Sequence, residues 1–328
     1  MIITNTLPKN FLVRRPTIED VNAVYELLCT CDIAEYGVPD TTEEELRSEW
    51  SSSTLDIETD IWVVVSSDKR VIGYAEVEHR DHARIFAFTR VHPDYRNQGI
   101  GNYLLRLAEA RALQHIPEAP SEARVTLNHW TSGPNEEAQQ VLEQEGFTRI
   151  RTHWRMEIDM EQAPPAPEWV EGITVRTFVR GQDERMVFEM VDEAFQDHWG
   201  HMPGNFEEWK HWTIKRENFD PTLWFLAIDD DKIAGGSLCS YYMDIAWVDT
   251  LAVLRPWRRK GVGMALLLHS FGEFYRRGKR VVVLSVDSQN LTGATRLYLH
   301  AGMHVTREYH TYMKELRAGR ELSTQSIE

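Results

Sequence analysis

The chain has 328 residues, of which 42% are apolar and 27% charged, so it is long enough for about two domains with ordinary cores. Its 36 basic and 51 acidic residues give a net charge of −15, and a field of that sign repels nucleic-acid backbones. No apolar run approaches the roughly 18 residues that cross a membrane. The start of the chain lacks the layout of a signal peptide, and three cysteines are too few for a disulfide framework. We therefore expect a cytoplasmic protein without nucleic-acid or membrane partners.

The first half begins with a short strand pattern, FLVRRP, followed by a helical pattern, TIEDVNAVYELLCTC. In that helix Val21, Val24, Leu27 and Leu28 form one apolar face. Two further strand patterns, DIWVVVS and RVIGYAEVEH, flank the turn-forming residues SDK. An apolar strand then leads into the glycine turn HPDYRNQGIG and a long helix. One more strand and a final helix complete this half.

A proline-rich segment, EQAPPAPEWVEG, divides the chain nearly in half at residues 161–172. Its three prolines cannot support a helix or a central strand, and they make a semi-rigid spacer. We predict a first domain over residues 1–160, a linker over 161–170 and a second domain over 171–328.

The second half repeats the order of the first. It has the strand GITVRTF, the helix DERMVFEMVDEAF, two strands in TLWFLAIDDDKIAGGSLCSYY, and the glycine turn LRPWRRKGVG. Arg96 and Arg258 lie 162 positions apart, and so do Gly99 and Gly261. A constant offset of this kind indicates a duplicated domain.

Each glycine turn has the composition of an anion site. Glycines allow the backbone to approach a ligand, and the first N–H groups of the following helix lack intrahelical partners at the positive end of the helix dipole. A tight turn without a ligand is the alternative interpretation. The Walker A lysine is absent, and the third glycine of the dinucleotide fingerprint is replaced by Leu104 and Leu266.

The two turns resemble the pyrophosphate loop of the GCN5-related N-acetyltransferase (GNAT) superfamily, Arg/Gln-x-x-Gly-x-Gly/Ala. The resemblance covers essentially the whole chain as two tandem domains and is stronger in the second half. It implies an α/β (α+β) fold in which each domain has a mixed, mostly antiparallel central sheet flanked by helices. The tandem arrangement is also generally similar to that of mycothiol synthases, which does not settle the acceptor.

The resemblance implies an enzyme that transfers an acetyl group from acetyl-CoA to the amine of a small-molecule acceptor, by direct attack through a tetrahedral intermediate. It further implies which residues contact the coenzyme. In the second half these are Leu251, Ala252, Val253, Arg258, Arg259, Lys260, Gly261, Val262, Gly263, Met264 and the loop residue Asn290. The matching residues of the first half are Val91, Arg96, Asn97, Gln98, Gly99, Ile100 and Gly101.

The two halves differ at the position of the family's general acid. In SVDSQNLTGATRLYLHAGM, Tyr298 matches the acid tyrosine of the family, and core packing is the alternative interpretation. Aligned on Gly146 and Gly302, which lie 156 positions apart, the first half has Leu142 there, and a leucine cannot donate a proton. We therefore predict catalysis in the second half and a degenerate first half. Asp249 is the candidate base, acting through water, or an ordinary hydrogen-bonding residue.

The segment FQDHWGHMPGNFEEWKHW contains three tryptophans and three histidines. The resemblance places this region over the acceptor pocket, and a loop held down by aromatic packing is the alternative interpretation. The predicted acceptor contacts are His198, Trp199, His201, Trp209 and Trp212. We predict no metal site.

Two other functions remain open at this point. The chain could be a non-catalytic acyl-CoA sensor that uses its turns to bind coenzyme, or a nucleotide-binding protein that uses them for other phosphates. A monomer, in which the two domains form a pseudo-dimer, and a homodimer are both compatible with the sequence.

Overall fold

A computed structural model describes residues 7–51, 55–215, 219–290 and 292–324. The chain packs into two compact units. Unit 1 extends to Thr152 and also contains Arg307–Leu322, whereas unit 2 contains His153–Thr306 and the residues from Ser323 onward. None of the described helices is long and apolar enough to cross a membrane. The first six residues, which are part of the stretch that lacks a signal-peptide layout, lie outside the described ranges.

Unit 1 contains the predicted elements in the predicted order, and it adds two short helices before its second strand and a strand after its final helix. Its strands are β1 (Phe11–Arg14), β2 (Ile61–Ser66), β3 (Val71–Arg80), β4 (Arg84–Val91) and β5 (Val125–Ser132). Its helices are α1 (Val21–Tyr36), α2 (Glu43–Trp50), α3 (Ile57–Asp60), α4 (Ile100–His115) and α5 (Glu136–Gln144). Strand β6 (Thr148–Asp159) begins in unit 1 and continues into unit 2.

The sheet of unit 1 is mixed and covered on both faces. Strands β1 to β4 are antiparallel to their neighbours, and β5 runs parallel to β4. Every residue of β2 is buried. Ile61 and Val63 pack with helix α1, whereas Trp62 and Val64 pack with helix α4, as the alternation of side chains along a strand requires.

Unit 2 repeats this arrangement. Its strands are β7 (Ile173–Thr177), β8 (Trp224–Asp229), β9 (Lys232–Tyr242), β10 (Ile245–Val253) and β11 (Val281–Asp287). Its helices are α6 (Glu184–Phe195), α7 (Phe206–Thr213), α8 (Val262–Arg276) and α9 (Ala294–His300). The last strand, β12 (His304–Arg317), begins in unit 2 and ends in unit 1.

The sheet of unit 2 is also mixed. Strands β7 to β10 are antiparallel to their neighbours, and β11 runs parallel to β10. In β8, Phe225 packs with Phe271 of α8, and Leu226 packs with Met190 of α6. The predicted fold, two mixed and mostly antiparallel sheets flanked by helices, is confirmed.

Each sheet is completed by a strand from the other half of the sequence. In unit 2, β6 pairs antiparallel with β11 through His153–Asp159, and in unit 1, β12 pairs antiparallel with β5 through Tyr309–Arg317. The packed units therefore differ from the predicted boundaries of 1–160 and 171–328 in these two segments. Both strands follow the final helix of their half, so their sequence patterns do not distinguish which sheet each one joins. Residues 161–172 contain no helix or strand, as their prolines predict.

Candidate active site

In each unit the two parallel strands separate before the glycine turn. Strand β10 pairs with β11 only at Ala246 and Trp247, although it continues to Val253. Strand β4 pairs with β5 only over residues 84–87, although it continues to Val91. The predicted coenzyme contacts Leu251, Ala252 and Val253 lie in the separated part of β10. A ligand with amide groups could pair with the main chain along such an edge, as an added strand does.

The two turns have the same backbone conformation. Arg259 and Gly261 have φ angles of 60° and 92°, and their counterparts Asn97 and Gly99 have φ angles of 59° and 79°. A glycine adopts this left-handed conformation without strain, whereas a residue with a Cβ does so at a cost of about 1–2 kcal/mol. Turn positions that lie 162 residues apart therefore share a backbone conformation as well as a sequence pattern.

The turn of unit 2 can hold an anion. Gly261 caps α8, and the first intrahelical bond of that helix is donated by the Ala265 N–H to the Gly261 carbonyl. The N–H groups of residues 262–264 therefore lie at the positive end of the helix without intrahelical acceptors. A Cβ at Gly261 would meet no atom within 4 Å, and the neighbouring Arg259 and Lys260 are exposed cations. These features fit the pyrophosphate of coenzyme A.

The second glycine of each turn lies close to the final helix of its unit. A Cβ at Gly263 would lie 3.2 Å from Cδ1 of Leu297 and 3.6 Å from Cγ2 of Val253. In unit 1 a Cβ at Gly101 would lie 3.9 Å from Val141 and from Val91. Val141 and Leu297 are 156 positions apart, which is the offset that aligned Leu142 with Tyr298.

The arginine of each turn points back into its own unit. Arg258 donates from Nη1 to Asp197 at 2.5 Å and from Nε to the Val253 carbonyl at 3.0 Å. Arg96 donates to Glu35 at 2.8 Å. The side chains of Asp197 and Glu35 are only 5% and 2% exposed, and the two acids are again 162 positions apart. Each arginine thus fastens its turn to the end of the first helix of the unit.

Sequence reasoning missed these ion pairs, although the shared offset of the two acids could have revealed them. Asp197 also accepts from Arg255, and the hydrogen bonds from Arg255 and Arg258 hold the pKa of its carboxyl well below the usual range. Asp197 is therefore an anchor for the turn, and the Arg258 side chain is already engaged within the unit, whereas Arg259 and Lys260 are exposed.

Tyr298 lies in the core beside the separated strands. Its side chain is 7% exposed and belongs to the same apolar cluster as Val286, with Leu251 and Val253 packed against that cluster. Burial raises the pKa of the phenol to about 12, so the phenol is protonated at neutral pH. Among the residues that the structure describes, none hydrogen-bonds its hydroxyl. Leu142 is equally buried in unit 1 but has no proton to give.

Asp249 lies at a β-bulge. The pairing of β10 with β9 shifts between Val248 and Thr250, so the strict alternation that would place Asp249 on the same face as Leu251 is interrupted. The residue is exposed, not buried in a cleft. Bulges near active sites often re-aim side chains, and the base role of Asp249 stays a prediction.

Asn290 shapes the loop before α9. Its side-chain oxygen accepts from the N–H groups of Thr292 at 2.9 Å and Ala294 at 3.2 Å. This is an ordinary capping role for asparagine, and it uses the oxygen but not the Nδ2 group. The coenzyme contact of Asn290 stays a prediction.

The predicted acceptor segment is partly helical and partly core. Trp209 packs against Phe188 and Trp224 with ring centroids 5.6 and 5.9 Å apart, as the aromatic-packing interpretation expects. Trp212 is 38% exposed and Trp199 is half-buried. The segment therefore does not present all of its aromatic side chains to one surface.

The two predicted acceptor histidines have different surroundings. His198 packs on Phe195 with ring centroids 4.2 Å apart, and burial, followed by the charge of Arg258, lowers its pKa. Its imidazole is therefore neutral at neutral pH and able to accept a proton. His201 lies with Nε2 3.6 Å from Oδ1 of Asp192.

The turn of unit 1 holds a carboxylate that the turn of unit 2 lacks. Oε1 of Glu137, in the first turn of α5, accepts from the Asn97 N–H at 2.5 Å. The residue 156 positions later is Gly293, which caps α9. In unit 1 the Asn97 N–H is thus already used by a carboxylate, and the negative charge of Glu137 beside the turn opposes the approach of an anion.

Comparison with known proteins identifies the family. The model of the acetyltransferase (GNAT) family matches the chain twice, at residues 21–147 and 185–303. A mycothiol acetyltransferase from Renibacterium salmoninarum is 30% identical over 65% of this chain, a match that spans 62% of that enzyme and so less than two thirds of it. The mycothiol acetyltransferase from Thermomonospora curvata is 29% identical, over 88% of this chain and 90% of that enzyme.

A solved structure agrees over nearly the full length. The crystal structure of a GCN5-related N-acetyltransferase from Sphaerobacter thermophilus is 40% identical, covers 98% of this chain and 100% of its own, and has a TM-score of 0.86. The chain is therefore an acyltransferase built from two tandem acetyltransferase folds. It belongs to the GNAT family, whose acetyltransferases in general use acetyl-CoA as co-substrate.

Proposed function

We propose that unit 2 transfers the acetyl group of acetyl-CoA to the amine of a small-molecule acceptor. The observation that supports this most strongly is the position of Tyr298, a buried and protonated phenol beside strands that separate before an open anion-binding turn. Unit 1 has the separated strands and the turn but has Leu142 in place of the phenol.

Each part of the reaction has a candidate group. The N–H groups at the start of α8, with Arg259 and Lys260, bind the pyrophosphate, and the main chain of Leu251–Val253 binds the pantetheine amides. A main-chain N–H of the same strand stabilises the oxyanion that forms when the amine attacks the thioester carbonyl. Tyr298 donates its proton to the departing thiolate.

The proton lost by the attacking ammonium needs an acceptor. Asp249, on the exposed bulge of β10, receives it through water in our proposal. His198 is the second candidate, because its imidazole is neutral and lies close enough to Arg258 and Asp287 for their charges to influence its pKa. The acceptor itself we assign only as an amine-bearing small molecule, a class supported by relatives that are named as mycothiol acetyltransferases.

Calorimetric titration of the full chain with acetyl-CoA tests the proposal. We expect one site per chain, abolished by Gly261→Glu and unaffected by the matched variant Gly99→Glu, because the added carboxylate would occupy the anion site of unit 2 only. Thermal melting of both variants controls for folding, since both glycines have left-handed backbones. No binding would contradict the proposal, and binding without thiol release against a panel of amines would favour the acyl-CoA sensor.

We also propose that Glu137 closes the turn of unit 1 to coenzyme. Glu137→Gly, which reproduces the residue found at position 293, should add a second and weaker acetyl-CoA site in the same titration. Glu136→Gly, at the exposed neighbouring position of the same helix, is the matched control. A second site in the wild type would show that the Glu137 carboxylate does not exclude the ligand.

A further inference from the structure

Three histidines of unit 1 meet where the β3–β4 hairpin approaches the end of α4. His79 lies near the end of β3, His82 in the turn, and His115 at the last position of α4. The ring centroids of His79 and His82 are 3.9 Å apart, and that of His115 is 4.5 Å from His79. Nδ1 of His82 lies 2.9 Å from Nδ1 of His115. One ring nitrogen from each residue lies within 4.8 Å of the other two.

The turn places His82 in this cluster at some cost to the backbone. Asp81 and His82 have φ angles of 48° and 54° and are the central residues of a turn in which the Ala83 N–H donates to the Arg80 carbonyl. Glycine or asparagine would fit such a position with less strain. The turn nevertheless tolerates His82, because histidine is one of the few non-glycine residues enriched at positive φ.

Packing alone does not satisfy the polar atoms of the cluster. His115 is 5% exposed, and within the described ranges its buried Nε2 has no hydrogen-bond partner. A neutral imidazole keeps a lone pair on one ring nitrogen, and that form of histidine binds metal ions.

We propose that His79, His82 and His115 bind a divalent transition-metal ion, for which Zn²⁺ is the best match. Zinc binds imidazole nitrogens at about 2.0–2.1 Å in a tetrahedron, which separates the ligand atoms by about 3.3 Å. The three ring nitrogens lie within 4.8 Å of one another, so ring rotations that replace the hydrogen bond between Nδ1 of His82 and Nδ1 of His115 would bring them onto one ion.

One carboxylate and one guanidinium that form an ion pair with each other lie close enough to act on the histidines, so the surroundings hold little net charge. The Asp60 carboxylate accepts from Nε of Arg111 at 2.7 Å, and its negative charge acts on both His79 and His115. Three histidine ligands leave the fourth zinc position for water. The ion would fasten the hairpin to the end of α4, so its role in unit 1 is separate from acetyl transfer in unit 2.

Zinc titration of the full chain, after treatment with a chelator, tests the site by calorimetry and thermal melting. We expect one Zn²⁺ per chain and a melting temperature that rises with zinc concentration, because a ligand of the folded state stabilises it by mass action. His82→Asn removes a ligand but keeps a residue that accepts the left-handed backbone, and it should weaken zinc binding at least about tenfold.

Two further variants control for loss of folding and for zinc binding at other histidines of the chain. His115→Gln should lose the same zinc affinity, and if it fails to fold, His82→Asn decides the question alone. His300→Asn, an exposed histidine of unit 2, is the matched control and should bind zinc like the wild type. Zinc affinity unchanged in His82→Asn, or lowered equally in His300→Asn, would overturn the site, as would the absence of saturable binding.

Discussion

Replacing Tyr298 with Phe separates a catalytic role from a packing role. The substitution keeps the ring that fills the core and removes a hydroxyl for which no described residue provides a hydrogen bond. Because no hydrogen bond within the described chain is lost, the variant should be about as stable as the wild type. The loss of a general acid should nevertheless lower kcat by about 10²- to 10⁴-fold.

Turnover is measured as thiol release with whichever amine supports the wild-type reaction, stability by urea denaturation, and acetyl-CoA affinity by calorimetry. The affinity should not change, because the proton is donated only as the thiolate departs. Tyr312→Phe is the matched control, since Tyr312 is buried in unit 1 and its hydroxyl donates to Glu143. An unchanged kcat in Tyr298→Phe, or an equal fall in Tyr312→Phe, would refute the assignment of Tyr298 as the acid.

Three further predictions concern Asp197, which anchors the turn, the stability of the fold at alkaline pH, and strand β6, which pairs in the sheet of unit 2. Asp197→Asn should lower the free energy of unfolding by about 3 kcal/mol in urea denaturation and weaken acetyl-CoA binding, because it breaks a buried ion pair. The pKa of Tyr298 is about 12 when folded and near 10 when unfolded, so its neutral form stabilises the fold below pH 10 and this contribution is lost as the pH rises toward 12. Relative to Tyr298→Phe, the wild type should then lose up to about 3 kcal/mol in alkaline denaturation series. The fragment 171–328 should melt at a lower temperature than the fragment 148–328, because β11 loses its partner β6 and the fully buried Met156; equal melting would mean that β12 takes the place of β6.

Much of the fold was predictable because its local patterns are strong. The run IWVVVS is apolar on both faces, and the structure buries every residue of it between two helices. The exchange of β6 and β12 was not predictable in the same way. Two strands that follow equivalent helices present similar edges, and the choice between sheets depends on contacts far apart in the sequence.

The candidate site was likewise predictable from the sequence only in part. The spacing of Arg96 and Arg258 predicted two turns, and their φ angles agree closely. The direction of the arginine side chains was not predictable from the motif, because Glu35 and Asp197 lie about 60 residues earlier in each half. The bulge at Asp249 also lay beyond the sequence pattern, since the alternation on either side of it looks continuous.

Comparison of the two units distinguishes the residues that hold the turn in place from the residues that would take part in the reaction. Both units keep the arginine and its buried acid, so that ion pair serves the shape of the turn in either unit. The differences lie on the final helix, where unit 1 has Glu137 and Leu142 and unit 2 has Gly293 and Tyr298. One change alters the charge at the anion site, and the other alters the group that can give a proton. Glu137 and Leu142 both lie in α5, so the double variant Glu137→Gly/Leu142→Tyr is the smallest alteration that should give unit 1 both coenzyme binding and an acid.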